Sequence, residues 1–218
     1  MEKQEIRTFG RRHGKKLSAR KNLLMENVLP KIAPTESENI DILEIGFGAG
    51  EHVRELALQH PNQIIMGAEP FENGVAALLS AICDTDNNIK DEYKNIRVWP
   101  DDVRLILSKN KFQFNEIWVL HPDPWPKARH EKRRLLSAEF LNLLGTNLAM
   151  DGKIIIGTDH WEYFDWILNQ VKNTNLGQND SDVETIKTRY QQKNMAHTTE
   201  PKYIALSVNH TKDTQPIR

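Results

Sequence analysis

Leu43-Glu44-Ile45-Gly46-Phe47-Gly48-Ala49-Gly50-Glu51 decides how this chain of 218 residues is read. Residues 40–45 have the apolar composition of a buried strand, and residues 51–59 have helical spacing that stops ahead of Pro61. A glycine turn between strand and helix lets the backbone approach a nucleotide-type cofactor closely, so Gly46 and Gly48 are candidate cofactor contacts. The pattern is G-x-G-x-G, with Glu51 where the dinucleotide fingerprint has its last glycine. An acid at a helix start repels a pyrophosphate, which argues against NAD. It suits S-adenosylmethionine, which has no phosphate and carries a positive sulfonium and amine. Glu44 can face that amine, or it can simply accept a backbone N–H at the strand end.

Apolar runs and helical spacings alternate along the rest of the chain. Strands are expected at residues 63–68, 95–99, 116–120 and 153–156, and helices at 71–83, 103–109 and 160–171, the last with an aromatic face at Trp161, Phe164 and Trp166. A helix over 137–150 is expected to stop at Asp151-Gly152, and two more strands fall near 183–188 and 202–208. Strands alternating with helices imply an α/β fold with a mostly parallel sheet covered on both faces. A helix over 18–29 ends at Pro30 and a turn-rich stretch follows at 34–39, so a basic arm with its helix (1–34) precedes one compact domain (35–218).

In such sheets ligands bind beyond the carboxyl ends of the strands, and acids recur there. Glu69 follows the second strand about 20 residues beyond the glycine turn, where a carboxylate reaches ribose hydroxyls. Asp101 and Asp102 follow the third strand; one can meet an adenine amino group and the other can N-cap the next helix. Asp123 follows the fourth, within His121-Pro122-Asp123-Pro124-Trp125-Pro126. The prolines fix their own φ, remove backbone donors and push the residues before them toward extended conformations, so a stiff loop is expected.

The formal charge of −1 conceals an uneven distribution: residues 1–21 carry +6, residues 127–134 carry +4, and the remainder carries −11. Two basic segments on an acidic body suit a polyanion. Phosphates are then the expected contacts of Arg7, Arg11, Arg12, Lys15 and Lys16 in the arm, and of Arg129, Lys132, Arg133 and Arg134 after the loop. A solubilising tail and a solvated helix face are the plainer readings. Cys83 is the only cysteine, which excludes an internal disulfide framework and a cysteine-based zinc site, and no metal is expected. Without a signal-peptide core or a run near about 20 apolar residues, a soluble cytoplasmic protein with no membrane contact is expected.

Taken in order, Glu44 to Gly50, Glu69, Asp102, Pro122 to Lys127, Arg129 to Arg134 and Thr158-Asp159 resemble the bacterial tRNA (guanine-N7)-methyltransferases, over about Ile6 to Val208. The Pro-Asp-Pro-Trp-Pro-Lys loop with its basic tail is the most specific part; the glycine turn is shared by many methyltransferases. The resemblance implies the Rossmann-like class I methyltransferase fold, a seven-stranded sheet with its last strand antiparallel. It also implies methyl transfer from S-adenosylmethionine to N7 of guanine 46 in the tRNA variable loop. Cofactor contacts are implied at Glu44, Glu69, Asp102 and Asp123, with Asp123 as the catalytic residue between cofactor and base. Substrate contacts are implied at Lys127, Asp159 and Thr188-Arg189-Tyr190-Gln191, where Gln191 replaces the usual carboxylate. His121 replaces an aromatic or Asn-type residue and is expected to be exposed. tRNA is the only partner implied, and a monomer and a homodimer fit equally. The alternatives are an enzyme that methylates a base amino group and a non-catalytic RNA-binding module; Glu51 and the basic run weigh against a nicotinamide dehydrogenase.

Overall fold

Short isoleucine-rich runs form the middle of a sheet. A computed structural model describes residues 8–35, 38–109, 112–179 and 201–209. Strands β1 (Ile42–Ile45) and β2 (Ile65–Ala68) are buried at every position, as strands covered on both faces must be. With β3 (Ile96–Trp99), β4 (Phe114–Leu120), β5 (Leu148–Thr158), β6 (Leu176–Asn179) and β7 (Lys202–Val208) they make a seven-stranded sheet of order β3-β2-β1-β4-β5-β7-β6. The first five strands are parallel, and β7 is antiparallel to both of its neighbours. The sheet is therefore the expected one.

Alternation along each strand sends successive side chains to opposite faces. Ile42, Ile65 and Trp118 pack under α1 (Ala19–Asn27), α2 (Glu51–Gln59) and α3 (Glu72–Ile82) through Leu24, Val53 and Leu79. Leu43, Met66 and Ile117 pack under α4 (Val103–Leu107), α5 (Ala138–Gly145) and α6 (Trp161–Val171) through Ile106, Phe140 and Tyr163. The helix of the basic segment thus contributes to a core, with Leu24 fully buried. Among the described residues no helix is long and apolar enough to cross a membrane.

Two expectations need correction. The helix expected to run to 150 ends at Gly145, because Asn147 breaks it: its carbonyl accepts from Phe114 N–H, its Oδ1 accepts from Phe112 N–H and its Nδ2 donates to Leu143 O. Asp151-Gly152 then lies inside β5, where the pairing with β4 shifts register. The inward stripe of α6 is Tyr163, Ile167 and Val171, whereas Trp161 is 57% exposed. The strand expected near 183–188 lies outside the described residues; β6 occupies 176–179, where none was expected.

Candidate active site

Parallel register aligns the strand ends. Ile45 pairs with Ala68 and with Val119, Ala68 with Trp99, and Val119 with Ile156. The residues that follow, Glu69, Asp101-Asp102, Asp123 and Asp159, therefore leave the sheet at one edge. A cavity of 440 Å³ opens there, bordered by Gly46, Glu69, Asp102 and Asp123. Its size falls in the range of about 300–1,000 Å³ that small ligands occupy.

The glycine turn needs left-handed backbone at Gly46 (φ 75°) and Gly48 (φ 58°), and a Cβ on either would meet only open space, so conformation fixes these glycines. Glu69 holds the turn in place. Its Oε2 accepts from Gly48 N–H and its Oε1 from Phe71 N–H, both at 2.8 Å, leaving lone pairs on each oxygen for further donors. Burial pushes the Glu69 carboxyl above its ordinary value; the two N–H bonds oppose this, and the charges of Glu44 and Asp123 add to it. Helix α3 presses on the same turn, since a Cβ on Gly74 would stand 2.3 Å from Gly48 O. Gly74→Ala should therefore cost about 1–3 kcal/mol of stability in urea unfolding and weaken cofactor binding in a titration. Unchanged binding would show that α3 does not set the turn.

Glu44 is buried, and its Oε2 lies 3.0 Å from Nδ1 of His52, whose ring meets Trp118 edge-on at 4.9 Å. No motif in the sequence singles out His52. Its place in the first turn of α2, facing back to β1, is the signal that could have found it.

Asp102 performs the N-cap. Its Oδ1 accepts from Arg104 N–H and Nε, and its Oδ2 accepts from Arg104 Nη2 and from Thr8 Oγ1, both at 2.6 Å. Asp101 pairs with Arg12, and Arg12 O in turn accepts from Glu72 N–H. Lys15 O accepts from Asn73 Nδ2. The described part of the arm is thus a strap, with Thr8, Phe9 and Arg11 bordering the cavity and Arg11, Arg12, Lys15 and Lys16 exposed. Burial alone would raise the Asp102 carboxyl, but the Arg104 and Thr8 hydrogen bonds and the Arg104 charge outweigh it and hold the group below its ordinary 3.8. A depressed acid contributes stability above its unfolded value and loses it as pH falls through its folded one. Wild type should accordingly lose more stability than Arg104→Gln between neutral pH and about pH 3, as urea midpoints would report. Equal losses would reject the coupling.

The proline loop departs from expectation. His121 (φ 49°) and Trp125 (φ 42°) are left-handed rather than extended. Each carries a Cβ and precedes a proline, so both are strained, and they bracket Asp123 at the exposed mouth of the cavity. His121 is not exposed as expected: its side chain is 8% exposed, with Nδ1 3.8 Å from Asp159 Oδ1. Burial lowers its pKa below the ordinary 6.5, against the opposing influence of Asp159. Beyond the loop, Lys127, Arg129 and Lys132 are exposed. Arg133 lies over Trp125 at 5.0 Å and over Phe9 at 5.7 Å, and Arg134 over Trp166 at 5.0 Å and Tyr163 at 5.5 Å. The last two arginines are therefore turned inward. Arg7, Thr188, Tyr190 and Gln191 lie outside the described residues.

This arrangement has counterparts among known proteins. Residues 38–212 match the family model described as "Putative methyltransferase". The chain is 35% identical over 188 residues to the tRNA (guanine-N(7)-)-methyltransferase of Neorickettsia sennetsu, covering 82% of this chain and 84% of the relative. It is 38% identical over 173 residues to the one from Hyphomonas neptunium, covering 73% and 76%. The chain belongs to the tRNA (guanine-N(7)-)-methyltransferase family. Solved structures agree on the methyltransferase fold. An antibiotic-related methyltransferase superposes with TM-score 0.56 at 12% identity, covering 89% of this chain and 96% of that one. A 16S rRNA (adenine(1408)-N(1))-methyltransferase from Catenulisporales acidiphilia, solved with SAM, gives 0.54 at 15% identity, covering 93% and 96%. In this member of the tRNA (guanine-N(7)-)-methyltransferases the cavity suits such a cofactor: open space stands over Gly46, and Glu69 keeps acceptor capacity beside it.

Proposed function

We propose that this chain methylates N7 of guanine 46 in the tRNA variable loop, with S-adenosylmethionine as the donor. The reading is carried by Asp123, held between two prolines at the mouth of the cavity, with exposed Lys127, Arg129 and Lys132 beside it. S-adenosylmethionine supplies a methyl group already activated by its sulfonium. Guanine N7 offers an in-plane lone pair and needs no proton removed, so the chain's task is orientation and exclusion of water.

Glu69 receives the ribose hydroxyls, Gly46 and Gly48 admit the cofactor close to the backbone, Glu44 steadied by His52 faces the amine, and Asp102 borders the adenine. Asp123 favours the positive charge that develops on the alkylated imidazole ring. Lys127 and Asp159 address the guanine edge, together with Thr188, Tyr190 and Gln191; at Gln191 a neutral amide does the hydrogen bonding. Arg7, Arg11, Arg12, Lys15 and Lys16 of the arm, with Arg129 and Lys132, follow backbone phosphates, while Arg133 and Arg134 add positive potential from within.

The test incubates the protein with unmodified tRNA transcripts and labelled S-adenosylmethionine, then treats the product with borohydride and aniline. Cleavage at position 46 is the expected result. Label without cleavage would move the target atom and reject N7, and tRNA binding without label would leave an RNA-binding module.

A further inference from the structure

We propose that Arg134 is a positioning residue that latches the Asp123 loop to α6, rather than a contact for tRNA phosphates; this rests on the reading of Asp123 above. The loop has few means of holding itself. Pro122, Pro124 and Pro126 carry no N–H, and the backbone is strained on both sides of Asp123, at His121 and Trp125. Arg134 supplies a restraint from ten residues away. Its Nε donates to Pro124 O, the carbonyl directly after Asp123, at 2.9 Å. Its guanidinium lies over the rings of Trp166 and Tyr163, both on α6, and Tyr163 is fully buried. Two further bonds close the assembly: Trp166 Nε1 donates to Glu131 Oε1 at 2.8 Å, and Arg134 N–H donates to Glu131 O at 2.9 Å. The loop and the basic turn after it are thereby tied to one helix that packs on the sheet.

Lysine separates the two roles. Arg134→Lys keeps the charge a phosphate needs but loses the planar stack and the Nε–H bond to Pro124. The latch predicts a kcat for methyl transfer lowered by about tenfold to a hundredfold, the scale of a misplaced reacting group, with KM for S-adenosylmethionine and the salt dependence of tRNA binding unchanged. It also predicts, in the protein without ligands, trypsin cleavage after Lys127 and Arg129 at least about fivefold faster than in wild type, because local opening governs cleavage. Trp166→Leu should give the same two changes, and the double variant should be no worse than either single one. Glu131→Ala, which removes only the outer bond, serves if Arg134→Lys fails to fold, with the same faster cleavage expected. Wild-type cleavage and kcat in a folded Arg134→Lys, or wild-type cleavage in Glu131→Ala should the lysine variant not fold, would overturn the latch. So would a shallower salt slope in Arg134→Gln that Arg134→Lys restores. If wild type itself transfers no methyl group, the proposed function fails while the cleavage comparison still decides whether the loop is latched.

Discussion

Asp123→Ala should lower kcat for methyl transfer by about 10²-fold or more, the scale of losing one well-placed electrostatic group. Its stability should stay within roughly 0.5 kcal/mol of wild type, as for an exposed residue outside the packed core. The side chain is exposed, so truncation opens no cavity. Asp123→Asn then separates charge from hydrogen bonding. If the carboxylate acts by favouring the cation that forms on the base, the amide should fall nearly as far as alanine. If it acts by accepting from guanine N1–H, the amide oxygen can still accept and more activity should survive. Wild-type turnover in a folded Asp123→Ala would remove the residue from the mechanism.

Deleting residues 1–16 should act on both ligands. The segment carries Lys3, Arg7, Arg11, Arg12, Lys15 and Lys16. Every phosphate that these side chains neutralise adds about 0.7–0.9 to the logarithmic salt slope of tRNA binding, so the truncated protein should show a shallower slope. Affinity should therefore drop most steeply at low salt. The structure adds a second effect, because Thr8 and Arg12 hold Asp102 and Asp101 at the cavity rim. Cofactor binding without tRNA should weaken too, as calorimetry would show. The pair Lys15→Ala and Lys16→Ala, exposed and away from the cavity, leaves both anchors and should change the salt slope alone. An unchanged slope after the deletion would exclude the arm as a phosphate contact.

The sheet was legible because its evidence is local. Residues 42–45 and 65–68 are short apolar runs next to a glycine turn or an acid, and 51–59 reads as a helix from its own spacing. The end of α5 was not legible, since Asn147 stops it by bonding to Phe112 and Phe114, more than thirty residues away. The same division holds at the cavity. Glu69 and Asp123 follow from their places after strands, but the His52 partner of Glu44 and the Thr8 partner of Asp102 exist only once the chain has folded. Pre-proline residues favour extended backbone on their own, and the surrounding loop overrides that preference at His121 and Trp125. The basic run read as a uniform block of charge, whereas aromatic rings on α6 and in the loop draw its last two members inward.

Strand β7 lies between β5 and β6 although it follows both in the chain. Among the described residues the β7-side edge of β5, with Ile154 to Ile156, and the paired edge of β6 are both covered by residues 202–208 alone, which leave the ribosome after them. Such an edge invites association with other nascent chains, so chaperone engagement should be heaviest in that interval, and products terminated ahead of Lys202 should aggregate or be degraded. Unfinished chains would then be cleared before they could compete with the complete protein for RNA.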